Sequence, residues 1–229
     1  MNLQRTIATA VVWVSVALLS AAASAGTYRT ITIDDDHSDW VGVPVLDSDP
    51  ADNPGSIDIA ETQIANDDDF LYIRNTFHGS LSLNLFTGID VDEDVATGFD
   101  IFGLGLIGQD SGWQTDFPFT SSNGLGGGVF NDGFGMTGDF FGSGAALIDA
   151  FVDSNERELA ISLDIIRNGP GTLVDVFPDD TVRLLFWSDQ GQGEVSGVIN
   201  YTLAVVPEPA SFALLCMAAS CGVAVRQRD

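Results

Sequence analysis

No lysine occurs anywhere in this chain, and only eight residues are basic against 33 aspartates and glutamates. Such a surface lacks the clustered cations that hold phosphate backbones or anionic lipid, which excludes nucleic acid and anionic membrane as partners of the folded body. Cysteine is almost absent too: Cys216 and Cys221 both lie in one apolar run near the C-terminus. The body before it therefore has no disulfide framework, no cysteine–zinc site and no cysteine nucleophile. The two histidines, His37 and His78, are too few and too separated to suggest a catalytic triad or a zinc site, and are expected as surface or turn residues. Amphipathic helices are missing as well: a short turn near residues 166–175 is the most that the pattern allows.

Both ends of the chain read as instructions about location. Arg5, an apolar run from Ile7 to Leu19, and Ala23-Ser24-Ala25 form a secretory signal peptide, residues 1–25, cut before Gly26; an uncleaved membrane anchor is the alternative. Residues 206–229 hold Pro207-Glu208-Pro209, the apolar run from Ala210 to Val225, and Arg226-Gln227-Arg228. The prolines keep a helix from running back into the body. Sixteen helical residues span ~24 Å, slightly less than a hydrocarbon layer of ~30 Å, and arginines beyond them stay cytoplasmic. In order and position these parts resemble the PEP-CTERM sorting signal of Gram-negative bacteria. That resemblance implies a transient transmembrane helix in the inner membrane, recognition by an exosortase (a membrane-bound cysteine transpeptidase), and a body released or transferred to the cell envelope or extracellular matrix. Proteins with this signal often accompany exopolysaccharide production. An ordinary tail anchor is the alternative.

Residues 26–205 form one domain. Its 31 acids face five arginines, a net charge of −26, and aspartate dominates, 27 to six glutamates over the whole chain. Divalent cations suit such a surface, because carboxylate oxygens are their usual ligands. Plain solvation in a salty habitat, where screening weakens self-repulsion, accounts for the same charge.

Period-two alternation runs through the body. In "ELAISLDI" Leu159, Ile161, Leu163 and Ile165 share one face; in "FLYIRNTF" Leu71, Ile73 and Phe77 do so. Further short strands of this kind, separated by Asp, Asn, Gly and Pro, predict an all-β fold, an antiparallel β-sandwich. The stretch from Ser121 to Gly144, with nine glycines and four phenylalanines, reads as a long loop or irregular hairpin whose phenylalanines fold back onto the sandwich.

The most informative stretch is "ITIDDDHSDWVGVPVLDSDPADNPGSIDI", Ile31 to Ile59: a strand, an acidic turn, Asp39-Trp40, then a second acidic loop. It resembles the opening of extracellular sandwich domains related to family 9 carbohydrate-binding modules, the DOMON-like group, with Asp35 where that pattern usually has glycine. The similarity continues through "ANDDDFLYIR", "IDVDEDVATGFD" and "ERELAISLDI". It implies a jelly-roll-like sandwich, calcium as a structural ion and a capacity for sugar binding.

Spacing supplies its own calcium argument. In "DVDED", Asp90, Asp92 and Asp94 alternate on a loop that can curl them onto one cation. It is not an EF-hand, because Val95 and Ile101 occupy the positions of the required glycine and bidentate glutamate. Asp47, Asp49 and Asp52, joined by Asp58, form a second candidate set; turn aspartates that cap backbone amides are the alternative at both. The triplet Asp67 to Asp69 reads as a plain turn. For sugar, a ring face beside hydroxyl partners is needed. Trp40 and Trp187 read as core, while Trp113 has polar neighbours and is the candidate platform, with Gln109, Asp110 and Gln114 as companions. No catalytic residues stand out, since 31 acids make carboxylate pairs by chance. The reading that follows is a non-enzymatic, calcium-stabilised surface sandwich that binds polysaccharide; its rival is an adhesive or structural envelope protein with no sugar site.

Overall fold

Alternation along the strands sends every second side chain to one face, and those faces meet in a single core. The computed structural model describes residues 24–53, 57–79, 85–114, 117–120, 136–137, 146–148, 155–164, 166–169, 172–188 and 194–205. Their strands, in chain order, are β1 (Ser24–Ala25), β2 (Val45–Ser48), β3 (Ile59–Asn66), β4 (Phe70–Phe77), β5 (Leu85–Asp90), β6 (Phe99–Asp100), β7 (Gly108–Gln109), β8 (Ser111–Gln114), β9 (Phe117–Thr120), β10 (Met136–Thr137), β11 (Ala146–Ile148), β12 (Glu156–Ser162), β13 (Ile166–Gly169), β14 (Thr172–Asp175), β15 (Thr181–Ser188), β16 (Glu194–Val195) and β17 (Ile199–Thr202). Two 3-10 turns, His37–Trp40 and Ile101–Gly103, interrupt them. Among the described residues no helix is long and apolar enough to cross a membrane.

One sheet runs β1-β17-β15-β5-β8-β9, with β16 also on β15; the other runs β11-β12-β4-β3-β2. Within both, pairing is antiparallel except where β1 lies parallel to β17. Leu71, Ile73 and Phe77 of β4, with Leu159 and Ile161 of β12, pack against Leu85, Ile89, Trp113, Leu184 and Phe186 of the first sheet. This is the expected antiparallel β-sandwich, built on the faces that the alternation marks. Leu163 is partly buried against the same core.

The outer faces are covered as well. Ala65, Tyr72 and Ala160 pack beneath Ile31, Trp40 and Val43, so the segment before β2 lies over the five-stranded sheet. Phe86, Leu185 and Trp187 pack beneath Ile101 and Ile107, so the segment between β6 and β7 covers the other. Trp40 and Trp187 are thus core residues, as their surroundings predict; the Trp187 ring stacks on Phe86 at 4.0 Å.

Glu158 fastens the first of these covers. It is fully buried on the outer face of β12. Its Oε2 accepts from Trp40 Nε1 at 3.0 Å, and its Oε1 accepts from the amides of Asp34 and Asp35 at 2.9 and 3.0 Å. Asp35 adopts φ +66°, the left-handed conformation for which the resembling pattern uses glycine, and aspartate tolerates it better than most residues do. At the β3–β4 turn Asp67 Oδ1 accepts from the amides of Asp69 and Phe70, so the triplet is the plain turn expected.

Residues 166–175 differ from expectation. They form the hairpin β13–β14 rather than a turn of helix. Gly169 pairs with Thr172 where the two strands adjoin. From the glycine-rich stretch, Met136–Thr137 pairs with β13 as β10, and the remainder lies outside the described residues. So do residues 1–23 of the signal peptide and all of 206–229, with Pro207, Glu208, Pro209, Arg226 and Arg228.

Replacing Glu158 by Gln puts an amide donor against the Trp40 indole or the two turn amides. Loss of an acceptor from buried donors costs about 1–3 kcal/mol. The expected outcome is a lower urea midpoint with unchanged slope; an unchanged midpoint contradicts this role.

Candidate metal centre

β5 ends at Asp90, whose side chain is fully buried. Register explains half of its environment: Asp90 pairs with Arg183 across β5 and β15. Arg183 Nη1 donates to Asp90 Oδ2 at 2.9 Å, and the Gly108 amide reaches the same oxygen at 3.3 Å. Arg183 is held in turn by the Leu106 carbonyl at 2.8 Å. Asp90 Oδ1 has no hydrogen-bond partner although it is buried. Burial pushes this carboxyl above the usual aspartate range; the Gly108 amide, the Arg183 charge and the Glu93 amide pull the other way, and Asp92 adds to the rise.

Two further carboxylates converge on it. Asp110 follows β7 and is buried; its Oδ2 accepts from the Val91 amide at 3.1 Å. Asp92 lies on the exposed turn after β5, oriented by Thr97 Oγ1 at 2.9 Å and the Asp94 amide at 3.0 Å. One carboxylate oxygen from each of Asp90, Asp92 and Asp110 lies within 4.8 Å of the others. Ligands of one calcium ion sit about 2.3–2.6 Å from it, hence no more than ~5 Å apart. The donor set is hard oxygen alone, which suits calcium, and an unpartnered buried oxygen is what such an ion would satisfy.

Two glycines let the loop close over this set. At Gly98, φ +63°, a Cβ would stand 2.5 Å from the Gln109 carbonyl oxygen; at Gly108 it would stand 2.5 Å from that of Asp94. The turn and β7 therefore touch backbone to backbone, which brings residue 110 beside residues 90 and 92.

The predicted triad is corrected at one position. Asp94 is not in the cluster: its Oδ1 accepts from the Ala96 amide at 2.9 Å and its carbonyl from Thr97, so it caps the turn. Asp110 replaces it. The second predicted set divides similarly. Asp47 Oδ2 accepts from the Gly197 amide at 3.0 Å, while Asp49 and Asp52 gather with Glu194. Burial pushes the Glu194 carboxyl up to about 7; the Ile59 amide pulls down and a hydrogen bond shared with Asp49 pushes further up.

The proposed sugar platform does not survive. Trp113 is completely buried in the core between the sheets, so it has no face to offer a glycan. Gln109 is buried too, and its Oε1 accepts from Trp187 Nε1 at 2.8 Å. Asp110 belongs with Asp90, and the Gln114 side chain lies outside the described residues. Among the described residues the exposed aromatic on this part of the surface is instead Phe102, half exposed, at φ +53°, with its ring edge-on to Trp187 at 5.5 Å.

Spacing alone did not mark Asp110 or Glu194. Asp110 joins the set through the pairing of β5 with β8, and Glu194, in "GQGEVSG", is far in the chain from Asp49 and Asp52, with which it gathers.

No protein-family model and no curated protein sequence matches the chain. Among solved structures, a family 9 carbohydrate-binding module from Caldicellulosiruptor kristjanssonii, in complex with cellotriose, aligns at 12% identity with a TM-score of 0.43, over 81% of this chain and 95% of that one. Likeness at this level transfers neither a site nor an activity.

Proposed function

We propose that the chain is an exported, non-catalytic surface protein whose β-sandwich holds a structural calcium ion between Asp90, Asp92 and Asp110. The observation that carries this reading is that Asp90 has a buried Oδ1 without a donor and gathers with two further carboxylates. The ion would satisfy that oxygen and offset repulsion among three acids, joining the turn after β5 to the approach to β8. Location rests on the sequence: a signal peptide, then Pro207-Glu208-Pro209, an apolar run and Arg226-Gln227-Arg228, read as an exosortase-sorted anchor that delivers the body to the envelope or the extracellular matrix.

A second reading adds polysaccharide as partner, through Phe102 in place of Trp113. Its support is the exposure of that ring and the left-handed backbone that presents it, a conformation costly for a bulky residue and found most often at functional sites. Sugar C–H faces pack on such rings. Without it, the body is a structural or adhesive element.

Three outcomes are expected. Adding CaCl2 to the metal-depleted exported protein raises its Tm by roughly 5–10 °C at a hundredfold excess over Kd, and the double variant Asp92→Asn/Asp110→Asn loses that rise; an unchanged wild-type Tm contradicts structural calcium. Intact-mass analysis of the product from a Gram-negative host with an exosortase places the C-terminus before Ala210, whereas a product ending at Asp229 contradicts sorting. In pull-downs on exopolysaccharide, wild type is retained and Phe102→Ala is not. Absence of retention on every glycan eliminates the sugar reading; Trp113→Ala is instead expected to cost about 3–5 kcal/mol of stability.

A further inference from the structure

A second group of acids stands where the two sheets meet. Asp49 and Asp52 lie on the connection from β2 to β3, in the five-stranded sheet; Glu194 opens β16, which pairs with β15 in the other. One carboxylate oxygen of each lies within 4.8 Å of the other two. Glu194 is 2% exposed and Asp52 is open to solvent, so the group is buried on one side and reachable from the other.

Beyond the hydrogen bond that Glu194 shares with Asp49, the donors around these acids are few. Glu194 Oε1 accepts from the Ile59 amide at 3.1 Å, and its Oε2 accepts from the Asn53 side-chain amide, which also reaches Asp52 Oδ1 at 3.2 Å. Among the described residues no arginine pairs with any of these acids. A fourth carboxylate stands behind them. Asp58 is 6% exposed; its Oδ2 accepts from the Asn53 amide at 3.3 Å, and its buried Oδ1 has no partner. Asn53 thus touches Asp52, Asp58 and Glu194 together, through its side chain to Asp52 and Glu194 and its backbone amide to Asp58. An unpartnered buried carboxylate oxygen is costly unless something absent from the polypeptide satisfies it.

We propose that Asp49, Asp52 and Glu194, backed by Asp58, form a second divalent-cation site that clamps the β2–β3 connection to β16. The site is separate from the Asp90 centre and joins the two sheets rather than two loops of one. Its all-oxygen, irregular donor set favours calcium over magnesium, which demands near-octahedral geometry, and the exposed side at Asp52 leaves room for water ligands.

The test is native mass spectrometry of the full chain in detergent with CaCl2, read as ions bound per chain. Wild type is expected to bind two, Glu194→Gln one, Asp92→Asn/Asp110→Asn one, and the combined variant none. Asp52→Asn, at an exposed position, provides the same readout if Glu194→Gln fails to fold. Calcium is also expected to slow hydrogen exchange at the Ile59 amide. Two ions retained by both Glu194→Gln and Asp52→Asn overturn the second site. So does a single wild-type ion that only Asp92→Asn/Asp110→Asn removes. A single ion removed by Glu194→Gln supports the clamp and overturns the Asp90 reading; no ion in wild type overturns both.

Discussion

Cation scarcity governs this fold. With eight basic residues for 33 acids, carboxylates that enter the interior must find most of their partners among backbone amides, indoles and amide side chains. Glu158 succeeds, with three donors on its two oxygens, and that success holds the Trp40 turn against the sheet. Asp90 succeeds by half: Arg183 and Gly108 share Oδ2, and Oδ1 has nothing. Asp58 stands in the same position beside Asn53. Among the described residues the two buried carboxylate oxygens without a partner belong to Asp90, itself in one acidic cluster, and to Asp58, which shares Asn53 with the other. That coincidence is what divalent ions would explain and scattered surface aspartates would not.

Much of the fold is written in the alternation. Leu71, Ile73 and Phe77, and Leu159 with Ile161, mark their own face because a strand has a period of two. What alternation hides is the cover on the far side. Tyr72 and Ala160 look outward in the pattern, yet the segment from Ile31 to Val43 buries them. The same ambiguity explains Trp113. In a strand the adjacent residues alternate between faces, so polar neighbours along the chain say nothing about where the indole points; Ser111, two residues away, is buried with it. A polar flank is evidence of exposure in a loop, not in a strand.

The candidate sites were legible in kind and not in membership. Aspartates at alternate positions do mark the turn after β5, but Asp94 caps that turn, while Asp110 arrives from the junction of β7 and β8 nearly twenty residues later. Glu194 comes from farther still. Chain spacing reports only local ligands; those supplied by register across a sheet, or by one sheet to the other, require the fold. Both clusters follow this rule, each combining one acidic turn with one distant, buried carboxylate. That arrangement lets an ion act on tertiary structure, tying a loop to a strand instead of merely neutralising a surface.

A crystal structure of the exported protein grown with calcium tests the central claim most directly. The account predicts anomalous density at about 2.3–2.6 Å from Asp90 Oδ1 and from a carboxylate oxygen of Asp92 and of Asp110. Asp90 Oδ1 bonded to water or to a protein donor, with no ion among the three, would contradict it.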